Sequence, residues 1–270
     1  MNKKLLQVMR FTFVTVGIIM LTSFTIDATD TLRGSQTALS IFAKNMNQSK
    51  CDAGMVAVNH TDGSFCIDTY EVSPSEDCIV ALPASTVDTA HNIAHPKCVP
   101  VSVPSKTPWT FVARPQAVEL CAKAGKRLPT AAEWFLAVLG TSDAQTCNLR
   151  GGLATSGSYE QCVSGSGAFD MVGNVWEYTS ETVTDATFQG RPLPSEGYVA
   201  LADPSGVALE TALEPNAIYN SDYFWAAPLG YYTVIRGGFY GSGADGGVYA
   251  THAQTDQNFA SAAIGFRCVK

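Results

Sequence analysis

The hydrophobic pattern of this chain changes character three times, and each change predicts a different kind of element. Residues 11–26 form a mainly apolar run, preceded by Lys3, Lys4 and Arg10 and closed by Asp27 and Asp30. A basic flank before the run and an acidic one after it predict an export signal or an N-terminal transmembrane anchor. The run falls slightly short of the roughly 20 residues of a spanning helix, and Leu5 to Met9 extend it if Arg10 snorkels. A cleaved signal peptide, with Ile26 and Ala28 at the small-residue positions, is the alternative. Residues 27–50 read as a helical or flexible linker, because Leu32, Ala38, Leu39, Ile41 and Phe42 remain compatible with a helix.

From residue 51 the pattern alternates. Met55 and Ala57 on one side and Phe65 and Ile67 on the other flank Thr61, Asp62 and Gly63, which predicts a hairpin with a tight turn. Residues 73–100 carry Pro, Ser, Asp and His without periodicity and read as a loop tied down by Cys78 and Cys98. Two helices follow. Pro115 suits a first helical turn, and that helix runs to Ala124 with Gly125 as its left-handed stop. Thr130 and Glu133 form a capping box ahead of Trp134, Phe135, Val138 and Leu139, with Gly140 as the terminator. After Cys147 only short apolar pieces separated by Gly, Ser, Asn and Pro remain, which suits a small twisted sheet carrying long loops.

Composition narrows the class of protein. The chain has 270 residues, 46% of them hydrophobic, enough for one large domain with its own core. A formal charge of -7 and a sequence pI near 5.0, with no cluster of Lys or Arg, exclude a nucleic-acid partner. All eight cysteines follow the apolar run, and an even count on an exported side predicts disulfides. Spacing alone leaves on the order of a hundred pairings. Zinc is disfavoured because no CxxC pair occurs and the four histidines are scattered.

Four blocks then stand out together: AGKRLPTAAEW at residues 124–134, GAFDMVGNVWEY at 167–178, VIRGGFY at 234–240 and IGFRCVK at 264–270. In this order they resemble the formylglycine-generating enzyme family, the sulfatase-modifying factors. The resemblance implies an α+β fold over residues 51–270, a C-type lectin-like domain with little regular secondary structure; residues 180–231 show little of the resemblance and read as the chain's own loop insertion. It implies a Cys121–Cys268 bridge; Cys147–Cys162 follows by proximity, leaving Cys51–Cys66 and Cys78–Cys98. It also implies a structural calcium held by Asn174, Val175 and Glu177, a hard oxygen set on irregular backbone. Relatives in the family bind copper through two cysteines after the RGG block. Here those positions are Ser242 and Gly247, so copper is not expected, nor is formylglycine generation.

No Ser-His-Asp order, HExxH, Walker loop or dinucleotide fingerprint occurs. His91 and His95 read as surface polar groups. Residues 239–258 are rich in Tyr and small polar side chains interleaved with Gly and Ala, a composition of adaptable binding loops. The segment also resembles the variable region of lectin-like display proteins diversified by retroelements. The expected ligand surface comprises Trp176, Tyr178, Phe239, Tyr240, Ser242, Asp245, Tyr249, His252, Asp256 and Asn258, joined by Tyr223, Phe224 and Trp225. Aromatic groups over a polar floor suit a glycan or a peptide. The expected function is a non-catalytic binding or display module at the cell envelope, on the extracytoplasmic side of the membrane. One alternative is an envelope enzyme using Asp245, Asp256 and His252 with a different metal, and another is a purely structural envelope protein.

Overall fold

The computed structural model describes residues 51–61, 63–142 and 146–270. The expected anchor and linker lie outside these residues; within them, no helix is long and apolar enough to cross a membrane. The first hairpin forms as expected, β1 (Met55–His60) pairing with β2 (Gly63–Asp68) so that Ala57 stands opposite Cys66. A two-residue pair, β3 (Ser73–Pro74) with β4 (Pro100–Val101), closes the following segment.

That segment is not all loop. It contains α1 (Thr86–Ala94), capped by the Ser85 hydroxyl, which accepts from the Asp88 amide, and ended by His95 and then Pro96. The Asn92 amide turns back and brackets Val80, accepting from its N–H and donating to its carbonyl, both at 2.8 Å. His91 is therefore on a helix, exposed, and His95 is its C-terminal cap. The start signal was the Ser85-x-x-Asp88 spacing, easily lost in a polar stretch.

The next two helices form as expected. α2 (Arg114–Lys123) stops before Gly125 at φ 67°, and α3 (Ala131–Val138) carries the full Thr130–Glu133 capping box. Both bury one face: Ala117, Leu120 and Cys121 from α2, Ala131, Trp134, Ala137 and Val138 from α3.

Beyond residue 147 the sheet is much larger than expected. The strands are β5 (Trp176–Thr184), β6 (Thr187–Phe188), β7 (Arg191–Pro192), β8 (Gly197–Ala202), β9 (Ala208–Ala212), β10 (Tyr223–Ala226), β11 (Tyr231–Arg236), β12 (Thr251–Thr255) and β13 (Ile264–Gly265). They form one nine-stranded sheet, ordered β7-β6-β5-β11-β12-β10-β8-β9, with β13 running parallel to β5. Residues 180–231 are thus not a loop insertion: they finish β5, begin β11 and supply β6 to β10. These strands are short and broken by Gly, Pro and Asp, so their alternation is too brief to register against turn signals. One apolar face, with Trp109, Leu120, Tyr178, Ile235 and Phe266, packs under α2; another, with Val183, Phe188, Val199, Phe224 and Val234, packs beneath Ala131.

The C-terminus closes the domain. Residues 268–270 exchange backbone hydrogen bonds with β2 through Cys66 and Asp68, and with Arg127 just after α2. All eight cysteines are bonded, in the four pairs read from the sequence.

Candidate functional site

The two positions where relatives place thiolates sit in the turn after β11. Ser242 is used locally: its hydroxyl accepts from the Phe239 amide at 2.9 Å. Gly247 is the more telling position, because a β-carbon added there would stand 2.6 Å from Asp222 Cγ, inside van der Waals contact. Asp222 arrives from just before β10, is fully buried, and accepts from the Tyr249 amide at 2.6 Å. The space that a second thiolate would need is therefore filled by a carboxylate. Arg236 of the RGG block is likewise structural. Fully buried, it lies 4.9 Å from the Trp134 ring and donates to the carbonyls of Ser205, Gly206 and Val248. Burial pushes its pKa down to about 10. Gly237 packs closely: a β-carbon there would meet the Met171 carbonyl at 2.6 Å.

A second arrangement faces outward. Strand register aligns Trp225 with His252, His252 with Ile235, and Ile235 with Tyr178, giving one row across β10, β12, β11 and β5. Opposed residues share a face. Exposure grows along this row, from Tyr178 at 0% to half-buried His252 and Trp225. From there a ladder of rings continues outward: Trp225 to Tyr223 at 4.8 Å, and Tyr223 to Tyr198 on β8 at 5.1 Å. Trp176 and His252 support Trp225 from within, with centroids 5.7 Å from it. Phe239 rests on the same apolar cluster and meets Tyr240 edge-on at 5.2 Å. Burial pushes the His252 imidazole down to about 4, so it stays neutral near pH 7 and serves as an aromatic plate.

Just beyond the ladder lies a cavity of about 500 Å³, lined by residues that include Leu193, Glu196, Ala226, Ala227, Pro228 and Gln254. It lies at the ends of the same strands: Gln254, two residues after His252 on β12, keeps the ladder's face, while Ala226, next to Trp225 on β10, turns to the opposite one. Tyr223 links the two. Its phenol is pushed up by burial first and then by the carboxylate of Glu196, with Tyr198 and Asp245 adding to it.

These contacts divide the expected surface. Trp176, Phe239, Tyr240, Asp245 and His252, with Tyr223 and Trp225, border or support the ladder. Phe224 alternates to the opposite face and is buried. Tyr178 is buried under α2, its hydroxyl donating to the Phe259 carbonyl. Tyr249 packs against Phe135 and Tyr219, at 5.3 and 5.0 Å. Asp256 accepts from the Asn258 amide in an exposed turn after β12. The imidazole Nδ1 of His252 pairs with Thr255 Oγ1. Tyr198, Glu196 and Asp222 were missed in the sequence, and Gln254 was read only as part of the polar segment 239–258. The alternation in GYVALA was the available signal for Tyr198.

The GNVWEY block forms a buried polar hub. Both Glu177 oxygens accept from Arg267, at 2.6–2.8 Å, and Oε2 also accepts from Trp134 Nε1 at 2.7 Å. Asn174 Oδ1 accepts from the Asn148 side-chain amide and the Ala154 backbone N–H, while Val175 N donates to Glu71. Glu71 is pushed well up by burial, then by Asp170 and Glu177; Asp170 is pushed up to about 6, chiefly by burial. Asn174 and Glu177 offer calcium no free side-chain oxygen in this arrangement. Their side-chain oxygens are taken by N–H donors, and the group facing Glu177 is a cation. A chelator is accordingly expected to leave the thermal midpoint unchanged; a fall that added calcium reverses would show that an ion holds this hub.

Comparison with known proteins places the chain. Among solved structures, Major Tropism Determinant I1 Variant is 19% identical over 82% of this chain and 54% of its own, with a TM-score of 0.45. CarF is 17% identical over 83% and 95% of the two chains, with a TM-score of 0.42. PvdO from Pseudomonas aeruginosa is 15% identical over 80% and 89%, with a TM-score of 0.37. The chain spans about half the length of the tropism determinants it matches. No curated protein sequence matches significantly. The sulfatase-modifying factor enzyme 1-like domain matches residues 45–270, and the chain therefore belongs to that family, with its C-type lectin-like fold and without the catalytic cysteine pair.

Proposed function

We propose that this chain is a non-catalytic ligand-binding module, held on the extracytoplasmic side of a membrane by its N-terminal apolar segment. The observation that carries this reading is Asp222 packed against Gly247. Copper(I) chemistry requires two soft thiolates on one face, and here one position is a hydrogen-bonded serine while the other lacks room for any side chain. Every cysteine is committed to a disulfide, so no other thiol is available to substitute. Four disulfides also suit an oxidising compartment, in agreement with the basic flank and apolar run at the N-terminus.

Binding is supported by the aromatic ladder. Ordered, half-buried rings supply contact area with little entropy to lose on engagement. The test is incubation of the full-length chain with copper(I), oxygen and a cysteine-containing peptide, followed by mass analysis of the peptide. No aldehyde is expected. Conversion of the cysteine to an aldehyde over many turnovers would assign catalysis instead.

A further inference from the structure

We infer that the cavity between Glu196 and Gln254, together with the ladder of Trp225, Tyr223 and Tyr198, is a binding site for a neutral saccharide. This deepens the binding reading above and rests on it. The cavity volume of about 500 Å³ falls within the roughly 300–1,000 Å³ typical of small-molecule sites. Its chemistry is amphipathic in a particular way. Leu193, Ala226, Ala227 and Pro228 give an apolar wall, and Glu196 and Gln254 add one carboxylate and one amide. A pyranose ring has the matching character: its C–H faces pack on apolar and aromatic surface, while its hydroxyls both donate and accept. A carboxylate accepts from such hydroxyls, and an amide does both.

Ring geometry separates this occupant from a cation. An ammonium cage needs aromatic faces standing apart, so that the charge lies within about 6 Å of several centroids at once. Here successive rings are only 4.8 and 5.1 Å apart and tilted at 48° and 82°, in direct contact, which leaves no gap between them. They make a stepped aromatic edge, closed to a cation, along which the C–H faces of an extended ligand can lie, and Trp225 is its broadest plate. Charge narrows the class further. No Lys or Arg lines the cavity, and Glu196 with the nearby Asp245 would repel a carboxylated or sulfated sugar. Neutral hexoses and N-acetylhexosamines are therefore favoured over acidic glycans.

The experiment is calorimetric titration of the full-length chain with maltotriose, cellotriose, chitotriose, sialyllactose, choline and a proline-rich peptide. At least one neutral trisaccharide is expected to bind saturably, and sialyllactose to bind more weakly than all of the neutral binders. Trp225→Ala is expected to weaken binding by about tenfold or more, and Gln254→Ala by about threefold. Because Trp225 leans on the core, Gln254→Ala and Glu196→Gln at the cavity rim keep the test independent of folding. Saturable binding of choline or the peptide alone would overturn the saccharide assignment and leave the binding module standing. The assignment also fails if no sugar binds, or if sugar binding is indifferent to all three substitutions. Failure of the non-catalytic reading would show separately, as aldehyde formation.

Discussion

Replacing Cys121 and Cys268 with alanine is expected to lower the stability of the domain by about 5 kcal/mol, the largest loss of any disulfide in the chain. The two residues are 147 positions apart, and loop-closure entropy rises with the logarithm of loop length, which gives about this figure near room temperature. The bridges Cys51–Cys66, Cys78–Cys98 and Cys147–Cys162 close loops of 15 to 20 residues, for which the same argument gives about 3 kcal/mol each. Location adds to the difference. Cys121 and Cys268 are both fully buried, and their bond ties α2 to the C-terminal segment that pairs with β2 and Arg127. Urea unfolding of the four paired alanine variants checks the ranking. A Cys121–Cys268 variant that unfolds at the same urea concentration as the other three would contradict it.

Arg267→Met is the second large effect, expected at about 3–5 kcal/mol, because it strands a buried carboxylate without its counter-ion. Arg267 is fully buried, joined to Glu177 by three contacts, and it also donates to the Asp68 and Phe169 carbonyls. Without it Glu177 keeps only the Trp134 indole as a partner, close to two further buried acids, Glu71 and Asp170. Adding Glu177→Leu should restore much of the loss, though not the part due to the orphaned carbonyls. The sign of the pH response is a further check. In the native protein Arg267 holds down Glu71 and Asp170, which burial raises; without it both rise further, so the added penalty is complete at high pH and fades as pH falls through the folded values. Asp170 behaves in the same way in the native protein, its cost fading as pH falls from about 6 towards its ordinary range. The difference between Arg267→Met and the native chain should therefore narrow between neutral and mildly acid pH. A constant difference, or no rescue in the double variant, would mean that Arg267 acts mainly through packing.

Much of this architecture can be read along the chain because it rests on local chemistry. The hairpin turn near Gly63, the Thr130–Glu133 capping box and the stops at Gly125 and Gly140 are signals within a few residues of the elements they set. The four cysteine pairs match the reading in which the family blocks imply Cys121–Cys268, Cys147–Cys162 follows by proximity and the remaining two are what is left. What escaped was either too short or too distant. α1 sits in a polar stretch, and β6 and β7 have two residues each, too few for a period to emerge. The features that decide function are tertiary. Asp222 meets Gly247 only because β10 lies beside β12, and Glu71, Glu177 and Arg267 meet only because β13 lies beside β5. In the ladder, Tyr223 and Trp225 were visible as an aromatic cluster, while Tyr198 joins them through strand pairing with β8. Glu196 and Gln254 carry no motif and acquire meaning from the cavity they share.

Replacement of the thiolate pair by a hydrogen-bonded serine and a glycine filled by Asp222 makes a specific statement about metals. Loading the purified full-length chain with copper(I) and, separately, iron(II), then desalting it and measuring its metal content by plasma mass spectrometry, tests that statement most directly. Far less than one transition metal ion per chain is expected in both cases. Stoichiometric copper or iron retained after desalting would contradict the non-catalytic reading and place redox chemistry in this domain.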